Sequence, residues 1–491
     1  MSADNFRGPP VLQGFFARAQ GVRGGCRLTM RRTLPIFAAI ALLVALATAA
    51  PASAGIGVAP AREFAPHQLV VKLESQRHGR AVRLPTGVGV REAARKLRRD
   101  PHVSYAVPNY IATPSTASVG PTYLIPDDPG SIEVTSSASG EPGGWETRQW
   151  NFLPYEGVPG VPVPISAGGI NAPGAWRNLL TAGRPGAGGV TVAVIDSGVA
   201  YVGLKRKFRP SPDFLPGQFV PGYDFVEGDK VPLDENGHGT HVAGTIAERT
   251  DNAFGLTGLA YRAKLMPVRV LNRHGEGEST EIAKGIRYAV NHGAQVINMS
   301  FNFGCGRRVP VVDQALQEAY LNGVITVASV GNLHSESCIS EPATGPHVIG
   351  VGGSTEGGCL GNYSLSGTGV DLVAPGGGEP IPGCLSVSSQ PIYQVTLKAH
   401  STREFGIPGN YVGTSMAAAH VSGVAAMVLA SGVITTGANK PPYLVKAMTK
   451  RLQKTSRSLG LPRLQQGAGL IDAAAATDLE NPYFPHFTPG P

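Results

Sequence analysis

The sequence predicts an α/β domain built on a mostly parallel sheet, with a small α+β unit ahead of it. Two observations carry this. Between residues 189 and 477, short apolar strand-like runs recur, and longer helix-like stretches separate them. Such alternation places helices over both faces of a parallel sheet. The composition agrees. In 491 residues, 42% are hydrophobic and 15% charged, which excludes a mainly disordered chain. Gly 65 and Pro 41, without a collagen-like period, indicate a loop-rich globular protein.

The chain begins with processing signals. Met30-Arg-Arg-Thr is a short basic segment, residues 34–50 are almost all apolar, and Pro51-Ala-Ser-Ala54 supplies a small-residue cleavage site. This is the pattern of a secretory signal peptide cut after Ala54. Residues 1–29 fit no part of it, which makes Met30 a candidate start. No Cys lies near the cut, so a lipoprotein anchor is not expected.

Residues 55–113 form the small unit. Strands are expected at 67–73 and 103–107, and a basic helix at 90–99. So few elements are marginally stable alone. Residues 114–147, rich in Ser, Thr, Gly and Pro, read as an exposed linker. The main domain follows over 148–477. Its strands are expected at 190–195, 264–270, 295–299, 324–329 and 348–351, and its helices at 279–292, 311–322 and 416–429. Residues 478–491 are a Pro- and aromatic-containing tail.

The net charge of +8 suggests nucleic acid until it is located. Residues 1–113 carry +11 and the remainder −3. The main domain therefore presents no basic excess for nucleic acid.

Three motifs carry chemistry. Val194-Ile-Asp196-Ser-Gly198 places a carboxylate at the end of an apolar strand. Asn236-Gly-His238-Gly-Thr-His241-Val-Ala-Gly244 opens a helix-like run with a histidine, the side chain suited to a base near neutral pH. The two histidines lack the Glu of a helical zinc-protease motif. Gly413-Thr-Ser415-Met-Ala-Ala-Ala-His420 sets a serine at the start of a long apolar helix, where developing negative charge is favoured. Taken singly, each is as readily a turn, a cap or a packing residue.

Together, in the order Asp, His, Ser with gaps of 42 and 177 residues, they resemble the subtilisin-like serine proteases (subtilases, peptidase family S8). The resemblance covers about 149–477 and implies a three-layer fold around a mostly parallel sheet. It makes Ser415 the nucleophile, His238 the base and then acid, and Asp196 the group that orients His238. Ser329-Val-Gly331-Asn332 resembles the oxyanion segment, with Asn332 as donor. Gly275, Glu276 and Gly277 match the strand that pairs with an extended substrate. Ser300, Phe301 and Asn302 stand in the wall of the specificity pocket, where Asn302 and Phe303 replace the usual glycines. Leu333 stands where an acid is common, so an apolar or aromatic residue before the cut bond is expected. Ala419 replaces the usual Pro, which makes the nucleophile helix more regular.

The same resemblance makes residues 55–113 a propeptide that assists folding and blocks the cleft until removal, with the cut inside 114–147. Two loops resemble calcium sites of the family: Asp224 and Asp229 in one, and Asp213 with Asp251 and Asn252 in the other. Surface acids are the plain alternative for each. No organic cofactor is implied.

Cys26 lies ahead of the signal cut. Cys305, Cys338, Cys359 and Cys384 remain, an even set that suggests two disulfides in an exported protein. Of three connectivities, 305–338 and 359–384 are expected because each closes a local loop. The reading is a secreted, monomeric serine endopeptidase made as a pre-pro-enzyme, free of nucleic acid and, once the signal is removed, of the membrane. Its rivals are an inactive polypeptide-binding homologue and a narrow processing enzyme or acyl transferase.

Overall fold

The computed structural model describes residues 64–481 except 86–87, 111–123, 133–142, 158–160, 205, 216, 334–337, 387 and 435–440. The signal peptide expected at 30–54 and the end of the tail lie outside the described residues. The chain divides into two units, residues 1–116 and 117–491.

In the first unit, β1 (Phe64–Leu73) pairs antiparallel with β2 (Arg80–Arg83) on one side and β3 (Val103–Tyr110) on the other. Helix α1 (Val90–Leu97) buries Val90 and Ala94 against Leu69. β2 was not expected. Its Arg-Ala-Val-Arg run is exposed throughout, so it has no apolar signature and forms only because β1 offers an edge.

The second unit holds seven strands: β4 (Thr191–Asp196), β5 (Tyr223–Asp224), β6 (Lys264–Arg269), β7 (Val296–Met299), β8 (Ile325–Ser329), β9 (Ile349–Ser354) and β10 (Leu372–Pro375). All pair parallel, in the order β10-β9-β8-β7-β4-β6-β5. The five expected strands are present. β5 is only two residues long, and β10 is a four-residue run ending in Pro375, a residue that weakens a strand signal. From β4 the chain crosses to the edge at β5, returns at β6 between the two, and then runs outward on the other side from β7 to β10. Helix α3 (His238–Ala247) covers one face, and α4 (Ser279–Asn291) and α5 (Pro310–Leu321) pack together on the other. The steps from β5 to β6 and from β6 to β7 run the same way across the sheet, so helices on opposite faces make the α3 crossover left-handed, an exception to the usual hand. The switch in direction at β4 opens a crevice at the carboxyl ends of the strands. A ribbon of β11 (Thr396–Leu397) and β12 (Phe405–Gly406) lies beyond the sheet in sequence.

Helix α6 (Thr414–Ser431) packs on α3 and on β7 to β10. Every residue from Thr414 to Val428 is buried, so the helix is apolar all round instead of striped. It is long and apolar enough to cross a membrane, but here it forms the centre of the core. Ala419 sits fully buried within it. The remaining helices, α2 (Ala172–Thr181), α7 (Pro441–Thr455), α8 (Arg463–Gln466) and α9 (Ala473–Thr477), complete the shell. Cys305 joins Cys338 and Cys359 joins Cys384, with Cα atoms 5.6 and 6.3 Å apart, the expected pairing.

The expected linker is shorter than its composition indicates. Trp145 is fully buried and donates from Nε1 to the Pro126 carbonyl at 3.0 Å. Gly130 and Ser131 exchange backbone hydrogen bonds with Gly255. Residues 124–132 and 143–147 thus belong to the second unit, because a turn-rich composition does not prevent an indole from docking. Trp145 meets Trp176 edge-on at 5.9 Å, and Phe152 meets both Trp176 and His420. This aromatic group ties the start of the unit to α6.

Trp176→Ala should lower the unfolding free energy by about 3–5 kcal/mol, since it empties a fully buried site and strands the Leu259 carbonyl that its indole serves. Chemical denaturation measures this, and a loss under 1 kcal/mol would refute the anchoring role.

Candidate active site

Asp196 ends β4, the strand at the switch point, and is fully buried. One of its oxygens, Oδ1, accepts from the Ser197 amide at 2.7 Å and from His238 Nδ1 at 2.8 Å. With Nδ1 carrying the proton, Nε2 of His238 is the free basic nitrogen. His238 begins α3. Its neighbour Gly239 lies so close to the Gly198 carbonyl that a Cβ would come within 2.1 Å, so only glycine lets the helix start here.

Three histidines lie in these motifs, and the structure separates them. His241 is fully buried with Nε2 on the Ile392 carbonyl at 3.0 Å, and burial pushes its pKa down to about 3. His420 is held between Asn151 and the Met416 carbonyl, and burial lowers it to about 4. Both stay neutral in ordinary conditions. Burial would also depress His238, but the Asp196 carboxylate, by charge and by hydrogen bond, and then Asp234 outweigh it. Its pKa lies above the ordinary histidine value.

Ser415 stands in the first turn of α6. Its Oγ donates to the Ser300 carbonyl at 3.0 Å, and Ser300 Oγ donates to the Ser415 carbonyl at 2.8 Å. Ser300 is itself held by Asn298, which Ser422 supports. The segment after β7 is thereby locked to the serine. His238, Ser415 and Asn332 line one cavity of about 450 Å³, together with Asn236, Tyr411 and Met416.

Asn332 follows β8. Its Oδ1 accepts from both the amide and the hydroxyl of Thr414, each at 2.8 Å. An amide N–H can only donate, so this contact fixes which end of the side chain is oxygen. The NH2 end is left to act as donor beside Ser415. Gly413, at φ +151°, makes this fit possible, because a Cβ there would meet Asn332 Nδ2 at 2.9 Å. Thr414 was not singled out from the sequence, since its role depends on a residue 82 positions away.

Other expected site residues fall elsewhere. Gly275 and Glu276 form a turn closed by Asn272 instead of a free strand. Glu276 and Gly277 line a second cavity of about 530 Å³ with Phe225 and Val226, separate from the one holding Ser415. Asn302 Nδ2 reaches Ser329 Oγ at 3.2 Å, and Phe301 packs edge-on to Phe303. Asn302 thereby bridges the ends of β7 and β8.

The two acidic loops differ. Asp224 ion-pairs with Arg269 at 3.0 Å and accepts two backbone amides, and Asp229 caps the Val231 amide. Arg269 thus already supplies a positive charge against Asp224. Asp213 is fully buried, with Asn252 Nδ2 and the Leu256 amide on its oxygens. Asp128, absent from the sequence reading, is also fully buried and accepts the amides of Asp251 and Asn252. Asp251 contributes its amide, while its side chain lies towards solvent. Burial raises Asp213 well above the usual carboxylate range and Asp128 to about 7. Nearby, Asn252 Oδ1 and both oxygens of the buried Glu248 have no hydrogen-bond partner. Among the described residues, no three His, Cys, Asp or Glu side chains converge as a metal cluster.

Comparison with known proteins agrees with this geometry. Residues 187–469 match the Subtilase family (Peptidase S8). Subtilisin BL of Lederbergia lenta is 34% identical over 315 residues, 64% of this chain and 98% of that protein. The Thermophilic serine proteinase of Bacillus sp. (strain AK1) is 39% identical over 251 residues, 50% of this chain; the match spans about half of that relative, 54%. Among solved structures, one described as proteases from Pseudoalteromonas arctica PAMC 21717 superposes with a TM-score of 0.52 at 31% identity, covering 63% of this chain and 94% of that one. A family match over more than half the chain, on a parallel sheet that carries the Asp, His and Ser motifs to one crevice, means that the protein belongs to the subtilases, a family of serine endopeptidases.

Proposed function

We propose that the protein is a secreted endopeptidase that cuts polypeptides through an acyl-enzyme on Ser415 and is matured by loss of its propeptide. The observation that carries this is the pairing of Asp196 with a His238 of raised pKa, in the cavity that also holds Ser415 and the anchored amide of Asn332. Ser415 Oγ, released from the Ser300 carbonyl, attacks the substrate carbonyl as His238 Nε2 takes its proton. The negative oxygen is met by Asn332 Nδ2 and by the Ser415 amide, which lies in the first turn of α6 and has no intrahelical partner. Such a side-chain donor contributes about 3–4 kcal/mol in a subtilisin. The imidazolium then protonates the departing amine, and water repeats the sequence to free the enzyme. Asp196 stabilises that imidazolium from below.

The flanks of residues 111–123 belong to different units, which supports a maturation cut in that stretch. The expected leader at 30–54 and the two disulfides support export. Exposed Leu333, next to Asn332 in the chain, and the Phe301–Phe303 pair in the segment expected to wall the specificity pocket favour an apolar residue before the cut bond.

We also propose a structural calcium ion, a hard cation suited to the oxygen set of Asp213, Asp128 and Asn252. The unpartnered Asn252 Oδ1 and the raised, uncompensated carboxylates support it. The ion would add to the positive charge of Arg249, which offsets the burial of Asp213 only in part, and would take no part in the chemistry.

Three measurements test these statements. The intact mass of the secreted protein, before and after a fluorophosphonate, should show one adduct that is absent in Ser415→Ala and a mature N-terminus within 111–123. Processed protein that takes no label would overturn the endopeptidase reading. The labelling rate should fall on acidification along a single limb centred above the ordinary histidine value of about 6.5, because the raised pKa keeps His238 protonated to higher pH. A limb below that value contradicts the assignment. Chelation should lower the melting temperature by about 5–10 °C in the wild type but not in Asp213→Asn; equal melting with and without chelator excludes the ion.

A further inference from the structure

One buried carboxylate outside the three motifs is connected to two of them. Asp234 is fully inaccessible, four residues before His238. It accepts five hydrogen bonds. Oδ1 takes the Ser197 hydroxyl at 3.0 Å and the amides of Asn236 and Gly237 at 2.8 and 2.9 Å. Oδ2 takes the Thr240 amide at 3.0 Å and its hydroxyl at 2.6 Å. Both hydroxyls are themselves pinned. Ser197 Oγ accepts the Gly239 amide, and Thr240 Oγ1 accepts the Ala200 amide. Every partner is therefore a donor, and an acceptor-only group, the ionised carboxylate, satisfies them all.

The network joins the turn after Asp196 to the first turn of α3. Ser197 follows Asp196 directly, and Gly239 follows His238. Fixing those two backbones relative to each other fixes the 2.8 Å Asp196–His238 contact. We propose that Asp234 is a positioning residue for His238, holding the imidazole against Asp196 and adding a second negative charge behind it. The inference rests on the triad reading above.

Charge placement favours the ionised form. The N-terminus of α3, with its unpaired amides, points at Asp234. Among the described residues no cation pairs with it; the adjacent Glu235 instead takes Arg269 and Lys207. Its charge is thus free to act on the imidazole. Burial raises the pKa of Asp234, and the five bonds pull it back. The titratable groups facing His238 are Asp196 from β4, Asp234 from the preceding loop, His241 one turn along α3 and Tyr411 from the loop before α6. Of these, His241 stays neutral, and burial raises Tyr411 further from ionisation. Only the two carboxylates therefore raise the histidine.

Asp234→Asn keeps the shape but turns one acceptor into a donor facing donors, and removes the charge. With a fluorogenic peptide that the wild type cuts, kcat should fall about ten- to hundredfold with KM unchanged. The acid limb of kcat/KM should move to lower pH, which a purely structural residue would not cause. If this variant does not fold, Ser197→Ala carries the test: it cuts the tie between Asp234 and the Asp196 turn, and a lower kcat at unchanged KM is expected. Wild-type kcat and an unmoved acid limb in folded Asp234→Asn, or wild-type kcat in Ser197→Ala where it stands in, overturn the proposal and leave the triad intact. A wild type that neither cuts peptide nor takes the fluorophosphonate overturns the triad reading, and this inference with it.

Discussion

The structure turns on a carboxylate kept where water cannot reach it. Asp196 lies at the end of a central strand with nothing exposed, and one of its oxygens has no hydrogen-bond partner. An ionised group in such a place is costly unless a partner is held firmly against it. His238 is that partner, and much of the surrounding fold serves to hold it: the glycine that lets α3 begin close to β4, and the Asp234 network that joins the two backbones. The histidine's raised pKa follows from the same arrangement, since its positive form is the one that compensates Asp196.

Burial acts on all three histidines of the motifs, but their neighbours give opposite results. His241 and His420 are packed without a carboxylate and become weak bases, and serve as neutral links between elements. His420 in particular joins Asn151 and the Phe152 ring to the nucleophile helix. Stability and chemistry thus share α6: its upper turn presents Ser415 and its body fills the core. A helix with no polar face suits this, because it can be gripped from all sides and its first turn cannot drift relative to Asn332 and Ser300.

The start of the second unit is part of this support. Trp145 and Phe152 reach Trp176 and α6, while Asp128 joins Asp213 and Asn252 in a buried oxygen cluster. Unmatched acids in a protein interior need either protons or a cation. A hard ion would fasten residues 124–132 to the loop that follows α3, the helix that carries His238. If the chain is matured as proposed, this segment would become the new beginning of the enzyme, and the ion would then fasten it.

The sequence alone determined the class of fold, five of the seven strands of the large sheet and the Asp, His and Ser motifs in their order, and it favoured the local pairing of the cysteines. Those features are local or depend on order along the chain. It did not reveal β2, β5 or β10, whose short or exposed runs take strand geometry from a neighbour. It misjudged Trp145 as part of an exposed linker, because composition does not show that an indole finds a core, and it did not show that Asn272 folds back on Glu276 or that Arg269 finds Asp224. Thr414, Asp128 and Asp234 were likewise invisible, each acting through contacts that only folding creates. Which of three histidines becomes the base was decided by tertiary structure too: proton affinity depends on what lies within a few ångströms in space, and for His241 and His420 those neighbours are 151 and 269 residues away in sequence.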